Sequence, residues 1–144
     1  MKENKCPAHL KPHVYFLVIS IIFGGILVFC TAPFQAPDES AHFFRAYQIS
    51  QFEIRASRFE DKVGGILPES IVELACSFHS ISYDPENKLG TKDFTDSLRI
   101  RLNKDETVFS TFPNTALYSP VPYISSALGI TFGKLINAPP LVIM

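Results

Sequence analysis

The chain has 144 residues, 47% of them apolar, and a formal net charge of -1. With no basic stripe and no arginine-rich segment, that balance excludes nucleic acid as a partner. Both ends are apolar and the middle is polar, which argues against one plain soluble domain.

Residues 1–13 form a short tail in which Lys2, Lys5 and Lys11 outnumber the one acid, Glu3. Residues 14–32 follow without a charge, and 12 of these 19 are Leu, Ile, Phe or Val. As a helix the run covers roughly 28 Å, close to the hydrocarbon thickness of a bilayer. Its large apolar side chains favour insertion by about 4 to 7 kcal/mol, which Ser20, Gly24 and Gly25 offset only in part. The run is too long for a signal-peptide core, and Cys30-Thr31-Ala32 before Pro33 is a poor cleavage site. An uncleaved transmembrane helix is therefore predicted over 14–32. The basic tail assigns the N-terminus to the cytoplasm and residues 33–119 to an extracytoplasmic loop. Between positions 38 and 106 there are 13 acids and 9 bases, a balance compatible with export. In a bacterium this describes a multi-pass protein of the inner (cytoplasmic) membrane, with the lipid bilayer as its first partner.

Within the loop, Pro37 marks the start of a helix from Asp38 to about Ser50, with Asp38 placed to cap it. Asp38, His42 and Arg45 then share a face at i, i+4 and i+7, and Glu39 reaches the same side three residues before His42. Phe43 and Tyr47 form a neighbouring apolar stripe. Gly64-Gly65 signals a loop, and Leu67-Pro68 leads into a helix over about 70–78, where Ser70 and Glu73 fit a capping box. Asp84-Pro85-Glu86-Asn87 reads as a turn. The strict alternation of residues 98–102, a turn at 103–106 and a return over 108–112 predict a short hairpin.

Residues 120–137 form a second membrane helix, a short span or one lying in the interface or packed on other helices. From 121 to 136 it reaches only about 24 Å. Lys134 at its far end suits a cytoplasmic side. Pro139-Pro140 break it, and the apolar 138–144 segment reads as the opening of a further helix, cut short. The fold class is a mainly α membrane protein with an α+β extracytoplasmic loop, juxtamembrane helices and a short hairpin. The chain reads as an N-terminal piece of a larger protein.

The three cysteines, Cys6, Cys30 and Cys76, lack metal-ligand spacing and are expected to be unpaired. Asp38 and Glu39 can take a proton from a hydroxyl acceptor, or hold a divalent cation that binds a lipid-linked phosphate. Capping by Asp38 and solvation of Glu39 explain the same residues without chemistry. Glu39 and His42 make a Glu-x-x-His pair, but a di-metal bundle needs a second such pair and the chain has none. Arg45 suits a phosphate or an ion pair with Asp38. Tyr118 and Tyr123 flank the second apolar segment, where tyrosine serves as an interface anchor. There is no phosphate loop, nucleophile elbow or zinc motif.

The stretch Pro33-Phe34-Gln35-Ala36-Pro37-Asp38-Glu39-Ser40-Ala41-His42-Phe43-Phe44-Arg45-Ala46-Tyr47-Gln48-Ile49-Ser50 closely resembles the opening of a bacterial family of polytopic membrane proteins, domain of unknown function 2142. Gly64-Gly65-Ile66-Leu67-Pro68 and Asn114-Thr115-Ala116-Leu117-Tyr118-Ser119-Pro120-Val121-Pro122-Tyr123 resemble its next two signatures, in order. Ser40 stands where the pattern has proline. The family is similar in layout to C-type-fold membrane glycosyltransferases, which use a polyprenyl-phosphate sugar donor on the outer face. By that resemblance Asp38 is the catalytic or metal-binding acid with Glu39 beside it; His42, Arg45 and Tyr118 are the candidate substrate-binding residues around it. The implied acceptor is a cell-envelope glycan, and this piece alone is expected to be inactive. The alternatives are a non-enzymatic envelope-assembly protein whose loop binds a partner or glycan, and a flippase or transporter segment.

Overall fold

A computed structural model of the chain describes residues 11–79 and 86–144. The tail residues Lys2, Glu3, Lys5, Cys6 and His9, and positions 84 and 85 of the expected turn, lie outside the described residues. The chain divides into two compact units, Met1–Ala32 and Pro33–Met144.

The first unit holds helix α1, Pro12–Cys30. Pro12 opens it, where a missing N–H costs nothing, and Thr31 N closes it by donating to Leu27 O at 2.9 Å. The helix stops two residues before the apolar run does. Its charge-free body, from Val14 to Cys30, is about 26 Å long. Among the described residues no helix is long and apolar enough to cross a membrane. Helix α1 comes nearest, with Phe16, Leu17, Ile21, Ile22 and Leu27 among its exposed side chains.

The second unit opens with α2, Glu39–Ser50. A three-stranded antiparallel sheet follows in the order β1-β2-β3, built from Ser57–Phe59, Lys62–Pro68 and Thr107–Thr111. Between β2 and β3 come α3, Glu69–Ser77, and α4, Thr91–Arg99. After the sheet come the short α5, Pro113–Ala116, and a 3-10 turn, Val121–Tyr123. That turn runs into α6, Ile124–Leu135, and α7, Pro140–Ile143, ends the chain's helical elements.

Several local expectations are corrected by tertiary packing. Gly64 and Gly65 are not a loop but lie inside β2, the central strand. A side chain on Gly64 would overlap the Ser110 carbonyl of β3, and one on Gly65 would meet Gln48 Nε2 of α2 at 2.7 Å. Close approach from both sides, rather than a turn, explains both glycines. The hairpin expected from residues 98–112 does not form. Leu98 and Arg99 finish α4, whose start is held by Asp93 Oδ2 accepting from Gly90 N at 3.3 Å. β3 instead pairs back to β2, with Ile66 opposite Phe109, and the tight hairpin is β1–β2 with Glu60 left-handed at its turn (φ 53°). Ser70 does not cap α3: its hydroxyl accepts from Asn103 N at 3.2 Å and ties the helix to the segment before β3.

The core sits where α2, α3, β2 and α6 meet, around Phe34, Tyr47, Leu67, Ile71, Phe78 and Ile130. Phe34 takes a left-handed backbone (φ 55°), unusual for a bulky residue. Its ring is buried edge-on to Phe43 at 5.8 Å and beside Phe78 at 6.0 Å. That packing holds the strained turn which aims the chain into α2. The second apolar segment is a helix of 12 residues, about 18 Å long, too short to span. Its inner side, Tyr123, Ala127, Ile130 and Gly133, is buried, and α6 packs on α2.

Candidate functional site

The site is built at the N-terminal end of α2. His42 N donates to Asp38 O at 3.0 Å, so Asp38 is the capping position by backbone. Its side chain makes no cap bond and stays exposed. Glu39 is engaged instead: its Oε2 accepts from Ala36 N at 3.3 Å, while Glu39 N donates to Ala36 O at 3.0 Å. The acid expected to cap is therefore unspent, and the next one pins the turn.

One turn along, His42 Nδ1 and the Tyr123 hydroxyl share a hydrogen bond of 2.9 Å. The imidazole stacks on both Tyr118 and Tyr123, with centroids 6.1 and 5.8 Å apart and planes 27° off parallel. Bonding at Nδ1 and stacking on two rings fix the imidazole and leave Nε2 for a ligand. Burial pushes the Tyr123 phenol up from its ordinary range, and Tyr118 adds to this while Arg45 opposes it. The phenol thus stays a hydrogen-bonding group through the neutral range.

These groups line a cleft of about 430 Å³. Glu39, His42, Tyr118, Tyr123 and Ser126 give it polar atoms, and Pro122, Ile130 and Met144 give it an apolar wall. A mixed concavity of this kind suits an amphiphilic ligand better than a small ion.

Arg45 does not belong to the site. Its side chain is 2% exposed, with Nη1 donating to Gln48 Oε1 at 2.6 Å and Nη2 to Ile54 O at 2.8 Å. Burial lowers its pKa, with Tyr123 as the opposing influence. Neither an ion pair with Asp38 nor an exposed phosphate contact is what the packing gives it. Arg45 stands seven residues after Asp38 as the helical spacing requires, but α2 turns from exposed to buried between His42 and Arg45.

Among the described residues no group of three or more His, Cys, Asp or Glu is placed to hold a metal ion. Asp38 and Glu39 are only two carboxylates, and one is already spent on Ala36 N. Among the described residues these two carboxylates alone fall short of the ligand set a resident divalent cation needs. Cys30 and Cys76 are free and exposed.

Of the sequence-derived site residues, the cleft gathers Glu39, His42 and Tyr118, keeps Asp38 at the adjoining cap, and excludes Arg45. Tyr123, which the sequence marks as an interface anchor, lines the cleft and bonds His42. Its spacing of five from Tyr118 across Ser119-Pro120-Val121-Pro122 was the available signal, since the 3-10 turn there brings both rings to one histidine.

No curated protein and no solved structure matches the chain. The family model described as "Predicted membrane protein (DUF2142)" matches residues 21–144, so both the end of α1 at Cys30 and every cleft residue fall inside it. The chain belongs to the DUF2142 family of predicted membrane proteins.

Proposed function

We propose that the protein is glycosyltransferase-like, set in the bacterial inner membrane by α1. It transfers a sugar from a polyprenyl-phosphate donor to a cell-envelope glycan on the outer face. Helix α1 supports the membrane part: it is apolar on all sides, a pattern that belongs in a bilayer or a large core. It supplies the span, and a modest local thinning accommodates its length.

The observation that carries the chemistry is the unspent Asp38. An aspartate at a helix N-cap normally bonds a backbone N–H of the first turn. Here it leaves that bond unmade beside a cleft that holds an oriented histidine. Local rules tend to be broken where function needs the group. In the proposed step the Asp38 carboxylate takes the proton of the acceptor hydroxyl. The hydroxyl oxygen bonds to the anomeric carbon with inversion, as the carbon–oxygen bond to the phosphate breaks and polyprenyl phosphate leaves. His42 Nε2 hydrogen-bonds the departing phosphate, Tyr118 offers its ring to the sugar, and Glu39 holds the turn.

The test is sugar transfer by the full-length protein in membranes supplied with a labelled polyprenyl-phosphate sugar. Loss of a general base costs about 10²- to 10⁴-fold, so Asp38→Asn is expected to lower the rate by at least about a hundredfold at unchanged membrane level. Wild-type transfer by Asp38→Asn would sink the catalytic assignment. The second reading, an envelope-assembly protein that binds a glycan or partner, is supported by Glu39, whose carboxylate is taken up by the backbone of its own turn. It predicts glycan binding with no transfer by the wild-type protein.

A further inference from the structure

From Thr107 to Met144 the only charged residue is Lys134. Its ammonium is drawn off the surface of α6. Nζ donates to Ser50 O at 3.1 Å and to Ser50 Oγ at 2.9 Å, and it lies 4.9 Å from the centroid of the Tyr47 ring. The lone cation thus serves the C-terminal end of α2, where an ammonium meets unpaired helix carbonyls.

The side of α6 turned away from α2 is left without any charge. Val121, Ile124, Leu128, Phe132 and Leu135 recur there at steps of three and four residues, and each is 51–75% exposed. A continuous apolar stripe of this kind marks an interaction surface rather than a face toward water.

We infer that α6 lies in the plane of the bilayer with this stripe seated among the acyl chains. Three observations favour lipid over a second protein surface. The stripe carries no charge, and the Ser125 hydroxyl is the one hydrogen-bonding side chain among its exposed apolar residues. Its one candidate cation is bonded inward to Ser50. At its N-terminal side Tyr118 is 53% exposed, an amphipathic ring suited to the headgroup level. The helix is too short to cross, and its other side is committed to α2, so it lies along the membrane rather than through it. Resting on the proposed function, this seat has a consequence. Ser126 and Ile130 line the cleft from the flank of the same helix, and Pro122 from the turn before it, so a lipid-borne ligand reaches it sideways from the bilayer.

These 144 residues contain no tryptophan, and any tryptophan elsewhere in the full-length protein is replaced by phenylalanine so that each reporter stands alone. The full-length protein carrying Leu128→Trp or Phe132→Trp is reconstituted in phosphatidylcholine vesicles with and without brominated acyl chains. Asp61→Trp, at the exposed β1–β2 turn, is the control. Brominated lipid is expected to quench both α6 reporters by about twofold or more and the control hardly at all, as an acyl-level position requires. Quenching at both α6 positions no greater than at the control would overturn the seat and assign the stripe to protein contact. No sugar donor is present in this measurement, so an error in the cleft chemistry leaves its outcome unchanged.

Discussion

The two ends of α2 use the same kinds of residue to opposite effect. At the first turn Asp38 and His42 are exposed, and the imidazole is held at a cleft by Tyr123. Two turns later Arg45 and Gln48 are buried and bond the carbonyls of Ile54 and Arg55 at 2.8 and 3.1 Å. A guanidinium at one end is a fastener for the chain that leaves the helix. A carboxylate at the other does no fastening at all. Helical spacing puts these groups in line, but what packs over each turn decides which is chemistry and which is architecture.

That contrast can be broken by substitution. Arg45→Met should cost about 2–4 kcal/mol, because it strands the buried Gln48 Oε1 and removes a charged hydrogen bond to the Ile54 carbonyl. Chemical denaturation of the purified protein reads it, and a loss below about 1 kcal/mol would remove the fastener role. Alkali should also act on the buried half. Burial pushes the Tyr47 phenol from 10.0 to about 12. The folded state keeps the proton that the unfolded chain gives up, so this contribution is complete below pH 10 and is lost between pH 10 and about 12. The loss is about 2–3 kcal/mol. Tyr47→Phe should flatten that slope. Gly65→Ala follows at about 1–2 kcal/mol, since its Cβ would stand 2.7 Å from Gln48 Nε2 and 3.3 Å from Phe112 Cζ. Smallest is Asp38→Asn, which removes no cap bond and should move Tm by less than about 2 °C.

Much of this arrangement is legible in the chain because it is local. The helix beginning beside Asp38, the helix after Leu67-Pro68 and the grouping of Glu39 with His42 all follow from short-range signals. What sequence could not reveal depends on distant partners. The role of Gly64 and Gly65 needs Ser110 and Gln48, which come from two other elements. Five alternating residues ending at Leu102 look the same whether they start a strand or finish a helix, and only pairing of β3 with β2 decides. Tyr123 joins the site across 81 residues, through a hydrogen bond no local pattern encodes. Lys134 was legible as a charge near a helix end, yet its partner, Ser50, is 84 residues away.

The central claim, that the cleft beside Asp38 receives a lipid-linked phosphate, is tested most directly by histidine footprinting. The full-length protein in vesicles is treated with diethyl pyrocarbonate, with and without a polyprenyl phosphate in the bilayer. His42 lines the cleft and His79 does not. The account predicts that the lipid slows acylation of His42 by about fivefold or more and leaves His79 unchanged, as occupancy of a preformed pocket requires. Equal acylation of His42 with and without the lipid, at concentrations that saturate the membrane, would contradict it.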